Sequence, residues 1–169
     1  MIILGIDPGY AIVGFGIIEF KNCRFRIINF GAITTPADMP FNKRLRVIFD
    51  EMSFLIEKYK PDAMAIEKLF FNTNAKTVID VSQARGVIML AAEKNGVPSF
   101  EYTPLQVKQS VVGYGRAEKK QVQEMTRRIL GLEKVPKPDD TADALAMAIC
   151  HAHTSGSCAV GTPKIKKGI

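Results

Sequence analysis

Two carboxylates, Asp7 and Glu67, each close a short apolar stretch of the sequence. Asp7 follows the run 2–6 and precedes a Pro-Gly pair, and Glu67 follows the run 63–66. A carboxylate at the end of a buried strand needs hydrogen bonds or a metal ion to offset the cost of burial. Because open α/β sheets place their sites at the carboxyl ends of strands, we expect the two side chains to meet if the strands are neighbours.

A second group of acids, Asp139, Asp140 and Asp143, lies at the start of the last predicted helix. The pair Asp140 and Asp143 is separated by about 60° around a helix, and the pair Asp139 and Asp143 by about 40°. Either pair could therefore converge with the strand-end acids. The helix dipole alone would favour Asp139 and Asp140, but it explains Asp143 less well, because Asp143 borders an apolar stripe that predicts packing on the sheet.

Converging carboxylates predict a site for divalent cations, because the acids repel one another unless cations neutralise them. Hard oxygen donors of this kind suit Mg²⁺ or Mn²⁺. Two such ions about 4 Å apart can activate a water molecule and stabilise the leaving oxygen of a phosphodiester. A zinc site is the alternative, but its candidate ligands have the spacing of no common zinc motif: Cys150, His151, His153 and Cys158.

The apolar periodicities predict an α/β fold with a mixed five-stranded sheet, in which three antiparallel strands precede two parallel ones and helices cover both faces. The predicted strands are 2–7, 12–20, 24–34, 63–67 and 99–102, and the predicted helices are 41–60, 75–95, one that begins at Pro104 with Thr103 as its cap, 118–130 and 138–153. We expect one domain over residues 1–153, followed by a disordered basic tail over 154–169.

The composition fits a soluble protein with a polyanionic partner. The chain has 169 residues and a net charge of +6 at pH 7, an excess consistent with nucleic-acid binding. The first residues lack the basic region of a signal peptide, and no run of eighteen apolar residues occurs. We therefore expect a cytoplasmic protein without a membrane span.

Six motifs in order resemble the RuvC family of bacterial Holliday-junction resolvases, and the resemblance extends to about residue 153. These motifs are GIDPG at 5–9, IE at 66–67 followed by Phe70, SQARG at 82–86, QVK at 106–108, GYGRAEK at 113–119 and DTADALA at 140–146.

The resemblance implies an RNase H-like fold, a homodimer with helix 75–95 at its interface, and symmetric nicking of two strands of a four-way DNA junction in homologous recombination and DNA repair. It implies two Mg²⁺ ions per active site, which Mn²⁺ can replace, and RuvA and RuvB as partners. The catalytic and metal-binding acids would be Asp7, Glu67, Asp140 and Asp143, because the family pattern D-x-x-D selects Asp140 over Asp139.

Aromatic and basic residues near these acids are the expected DNA contacts. By resemblance, Phe70 stacks on a base, and the adjacent Phe71 could share that role, since exposed aromatic rings stack on unpaired bases. By resemblance also, Lys108 and Lys119 approach the DNA near the site. Two further cations beside the glycine break are candidates for phosphate contacts: Arg116 and Lys120.

Two other classes of function compete with a nuclease. A glycine-flanked aspartate after a first strand also begins the sugar-kinase and actin-like ATPases, but that fold needs two such domains and 169 residues are too few. A non-catalytic junction-binding module would dispense with the acids. Such a module would gain affinity by removing negative charge near phosphate, so four retained acids favour the enzyme.

Overall fold

A mixed five-stranded sheet forms the centre of the molecule, as predicted. The computed structural model describes residues 1–68 and 75–155, so Phe70, Phe71 and nearly all of the predicted tail lie outside the described residues. The strands are β1 Ile2–Asp7, β2 Ile12–Lys21, β3 Arg24–Thr34, β4 Ala63–Glu67 and β5 Ser99–Tyr102. They lie in the order β3-β2-β1-β4-β5, with antiparallel pairing from β1 to β3 and parallel pairing from β1 through β4 to β5.

Five helices in the described residues cover the two faces of this sheet, which confirms the prediction. They are α1 Phe41–Tyr59, α2 Ala75–Lys94, α3 Pro104–Val112, α4 Lys119–Ile129 and α5 Asp139–Thr154. The predicted start of α3 is also confirmed: Thr103 caps the helix and forms a reciprocal capping box with Gln106, and Pro104 takes the first helical position. Among the described residues, no helix is long and apolar enough to span a membrane.

The alternation of side chains along β1 and β4 decides which helices each residue meets. Leu4 and Ile66 point into the apolar core shared with α1 and α2. Ile3 and Ala65 point the opposite way, into the core shared with α3, α4 and α5. Asp7 lies four residues after Ile3, and Glu67 lies two residues after Ala65, so each acid points to the same face of the sheet as that residue. Both strand-end acids therefore face α5.

The parallel register of β1 and β4 puts these two acids side by side. Ile6 is paired with Ile66, so Asp7 and Glu67 are the next residues along the two strands. The two strands are therefore neighbours, which is the condition under which the sequence analysis expected the two side chains to meet. The two carboxylates emerge at the same end of the sheet and on the same face.

Glycines let α5 approach the sheet more closely than any side chain would allow. A Cβ atom built on Gly5 would lie 2.0 Å from the backbone oxygen of Ala144, and one on Gly14 would lie 2.0 Å from that of Asp140. A third glycine of the same face, Gly16, would clash with the Leu145 side chain at 2.6 Å. The depth at which α5 lies is thus set by the absence of side chains on β1 and β2, which was not predicted from the sequence.

We expect Gly14→Ala to lower the free energy of unfolding by at least about 2 kcal/mol, because the new methyl group must displace the backbone of α5 rather than a flexible side chain. Urea denaturation measures the loss. Gly31→Ala is the matched control, since its Cβ would meet only the edge of the Phe15 ring at 3.1 Å. Equal losses in the two variants would show that α5 does not depend on close contact at Gly14.

Candidate active site

Three of the predicted acids line one open cavity of about 200 Å³ at the carboxyl end of the sheet. Asp7 comes from β1, Glu67 from β4 and Asp143 from the first turns of α5, and all three are half-buried. The other lining residues are two lysines from α3 and α4 and an apolar wall: Lys108, Lys119, Pro104, Val107, Val122, Ala146 and Met147. The cavity therefore joins negative and positive groups on a largely apolar support.

The two neighbouring acids at the start of α5 differ in their surroundings. Asp140 does not line the cavity, but its charge acts on Asp7, and its backbone packs against Gly14. Asp139 instead forms an ion pair with Lys137 and lies 3.9 Å from Lys119 Nζ. Asp140 thus acts electrostatically on Asp7, whereas Asp139 is paired with lysines.

Three acids but only two lysines line the cavity, so the acidic groups outnumber the basic groups. Burial, followed by the charges of Glu67, Asp143 and Asp140, raises the pKa of Asp7 to about 8, against a lowering by Lys119. Burial also raises the pKa of Glu67, with the charge of Asp143 as the next cause. Because Asp7 retains its proton near neutral pH beside other acids, an added cation would be strongly stabilised at this site.

Lys119 supplies the nearest positive charge in this cavity. Its Nζ atom lies 2.8 Å from Oδ2 of Asp143. The hydrogen bond to Asp143 is the main reason that the pKa of Lys119 is raised above its ordinary value. One carboxylate of the site is therefore already neutralised by a side chain of the protein.

The donor chemistry fits a hard divalent cation, although the side chains are not yet arranged around one. Among the described residues, no group of three or more histidine, cysteine, aspartate or glutamate side chains is placed so that it could hold a metal ion. The carboxylate oxygens of Asp7, Glu67 and Asp143 are nevertheless the donors that Mg²⁺ and Mn²⁺ prefer. A cation bound here would displace the proton of Asp7 and compete with Lys119 for the carboxylate of Asp143.

The candidate zinc ligands lie elsewhere, near the end of α5. His151 Nδ1 is hydrogen-bonded to the Tyr102 hydroxyl at 2.8 Å, and His153 Nδ1 lies 3.2 Å from the Ser110 hydroxyl. Cys150 is buried and free, whereas Cys158 is outside the described residues. Both histidines thus have structural partners within the fold.

The predicted basic DNA contacts differ in whether they line the cavity. Lys108 and Lys119 line it, whereas Arg116 and Lys120 are exposed outside it, near the start of α4. Two exposed apolar side chains in the same region were not predicted from the sequence: Leu105, which is 54% exposed, and Tyr114, which is 48% exposed. Basic and large apolar side chains are therefore exposed on and between the helices that carry the two cavity lysines.

Comparison with known proteins agrees with this arrangement. Residues 3–151 match the family described as "Crossover junction endodeoxyribonuclease RuvC". A protein of that name from Clostridioides difficile (strain 630) is 61% identical over 155 residues, which cover 92% of each chain.

Solved structures extend the comparison to the fold. Thermus thermophilus RuvC superimposes with a TM-score of 0.85 and 34% identity, over 92% of this chain and 95% of that one. The same protein in complex with a Holliday junction substrate gives a TM-score of 0.87 and 35% identity, over 92% and 94% of the two chains. These matches confirm the predicted RNase H-like fold, and the chain belongs to the RuvC family of crossover junction endodeoxyribonucleases.

Proposed function

We propose that this protein is a structure-specific endonuclease that resolves Holliday junctions by nicking two strands symmetrically during homologous recombination and DNA repair. The observation that carries the proposal is the convergence of Asp7, Glu67 and Asp143 in one cavity that two lysines also line. The relative from Thermus thermophilus with a TM-score of 0.87 was solved with a Holliday junction substrate, which supports four-way junction DNA as the substrate here.

The catalytic and metal-binding residues in this proposal are Asp7, Glu67, Asp140 and Asp143. Their carboxylate oxygens would hold two Mg²⁺ ions, or Mn²⁺ in their place. When bound, such ions activate water for attack on a phosphodiester and stabilise the oxygen that leaves. The raised pKa values of Asp7 and Glu67 support this role, because they report buried carboxyl groups beside other acids.

The lysines of the cavity have a second role in this proposal. Lys119 leaves Asp143 when a cation takes that carboxylate, and its ammonium group then contacts a phosphate oxygen beside the cleaved bond. Lys108, on the other wall of the cavity, contacts the same strand. Arg116 and Lys120 at the rim add phosphate contacts that hold the DNA without reading its sequence, and Phe70 and Phe71 stack on bases where the strands cross.

A stripe of exposed residues on α2 supports a homodimer. Ile79, Gln83, Gly86 and Leu90 are all exposed and fall within about 60° of one another around the helix. Ile79 is 58% exposed and Leu90 is 53% exposed, and a Cβ atom on Gly86 would meet nothing within 4 Å. An apolar stripe with a central glycine permits close packing of two helices about a two-fold axis.

Family membership supports the remaining proposals. Residues 1–153 would form the nuclease domain. Residues 154–169, which include several lysines, would form a basic tail outside it. RuvA and RuvB would be the partners of this protein, and the protein would act in the cytoplasm.

Asp7→Asn should reduce cleavage of a synthetic four-way junction in Mg²⁺ by roughly 10²-fold or more, because it removes a charged ligand at the centre of the site. Junction binding in EDTA should be retained. Single-turnover cleavage of end-labelled junctions and gel-shift titrations measure the two effects. Asp50→Asn is the control, since Asp50 lies on the exposed side of α1 beside Arg46. Cleavage by Asp7→Asn at the wild-type rate would contradict the proposed role.

Without metal, the stability contributed by Asp7 should fall as the pH rises. The pKa of Asp7 is about 8 in the folded protein and 3.8 in the reference state, so between these values the folded chain binds a proton that the unfolded chain has released. The melting temperature of the wild type in EDTA should therefore decrease relative to that of Asp7→Asn over this window. Thermal melts at several pH values measure the difference, and parallel profiles would contradict it.

Leu90→Glu should convert the dimer to a monomer, because a two-fold interface brings two introduced carboxylates together in a buried setting. Sedimentation velocity at micromolar concentration measures the change. Phe54→Glu is the matched control, since Phe54 is 55% exposed on α1, away from the α2 stripe. A wild-type monomer, or a dimer that persists in Leu90→Glu, would exclude α2 as the interface.

A further inference from the structure

An arginine on α2 contacts the strand end that carries Glu67. The Nε atom of Arg85 donates a hydrogen bond to the backbone oxygen of Glu67 at 3.3 Å. Its Nη2 atom lies 2.9 Å from Oε1 of Glu101 on β5. The two groups form an ion pair, but the geometry is not that of a hydrogen bond. One guanidinium therefore joins α2, β4 and β5 at the end of β4.

The backbone at Glu67 is the point where the regular sheet ends. The amide of Lys68 still donates to the Tyr102 oxygen of β5, at 2.9 Å. Arg85 contacts the carbonyl of the same peptide unit from the α2 side. The peptide group that follows the Glu67 side chain is thus held at its amide by β5 and at its carbonyl by α2.

Packing alone does not account for an arginine at this position. The α2 core contact is made by apolar residues such as Ala84 and Ile88, both fully buried. The Arg85 side chain is only 14% exposed, and a charge at that depth adds little net stability compared with an apolar side chain of similar volume. A planar group with several fixed donors is suited to hold two acceptors in a defined relation.

We propose that Arg85 is a positioning residue for Glu67: by fixing the last peptide unit of β4 to α2 and β5, it sets the direction in which the Glu67 carboxylate enters the cavity. This inference rests on the proposed function, in which Glu67 binds the catalytic cations. It also gives the SQARG motif a role in the active site, because the arginine of that motif connects α2 to a catalytic strand.

Arg85→Gln should slow cleavage at saturating junction by about tenfold, because a small displacement of a catalytic group carries a large cost in rate. The Mg²⁺ concentration that gives half the maximal rate should rise, while the dissociation constant for the junction in EDTA stays unchanged. Glu101→Gln should have a smaller effect, since the bond from Arg85 to the Glu67 carbonyl remains. The double variant should resemble Arg85→Gln alone, because both changes act through one contact.

A second measurement does not depend on nuclease activity. The Lys68 amide should exchange its hydrogen at least about tenfold faster in Arg85→Gln than in the wild type, since the end of β4 loses one of its two restraints. Arg46→Gln is the matched control, because Arg46 is 83% exposed on α1 and forms an ion pair with Asp50 on the same helix, away from β4. Its cleavage rate and its Lys68 exchange should both equal those of the wild type.

Two results would overturn the inference. One is Lys68 exchange and a Mg²⁺ requirement in Arg85→Gln that equal those of the wild type. The other is a loss of junction binding and melting temperature in proportion to the loss of cleavage, which would make Arg85 a residue of general stability. Failure of the wild type to cleave would refute the proposed function instead, and Lys68 exchange would still decide whether Arg85 fixes the end of β4.

Discussion

The direct contact between the backbone of α5 and the glycines of β1 and β2 is the constraint on which the rest of the structure depends. Gly5, Gly14 and Gly16 place no side chain of their own between sheet and helix, so the first turns of α5 lie at the level of the strand ends. Close-packed interiors transmit small displacements, and the relative heights of Asp143 and Asp7 therefore follow from residues that carry no functional group.

The proximity of the acids at the strand ends has an electrostatic cost for the folded protein. Burial and three neighbouring acids raise the pKa of Asp7 to about 8, and such a shift disfavours the charged, folded protein in the absence of cations. The cost is confined to one end of the sheet, and two apolar cores lie on the two faces of that sheet. Stability and reactivity are thus supplied by different parts of the same sheet.

The sequence predicted the elements well because their signals are local. The strand and helix periods and the Thr103 cap are all properties of short segments. The glycine contacts and the Arg85 bridge were not predicted, because each depends on residues far apart in the chain. The choice between Asp139 and Asp140 could not be made by helical angle either, since it depends on the side chains that surround each carboxylate in the folded protein.

The ion pair between Lys119 and Asp143 determines how the folded protein balances the charge of that acid. Because the Lys119 ammonium group already balances Asp143, the folded chain needs no external cation to offset the charge of that acid. A cation that bound at Asp143 would compete with this internal counter-ion, whereas in small metal-dependent domains the cation organises an unfolded site. The fold thus carries its own counter-ion for one of the acids that its close packing brings together.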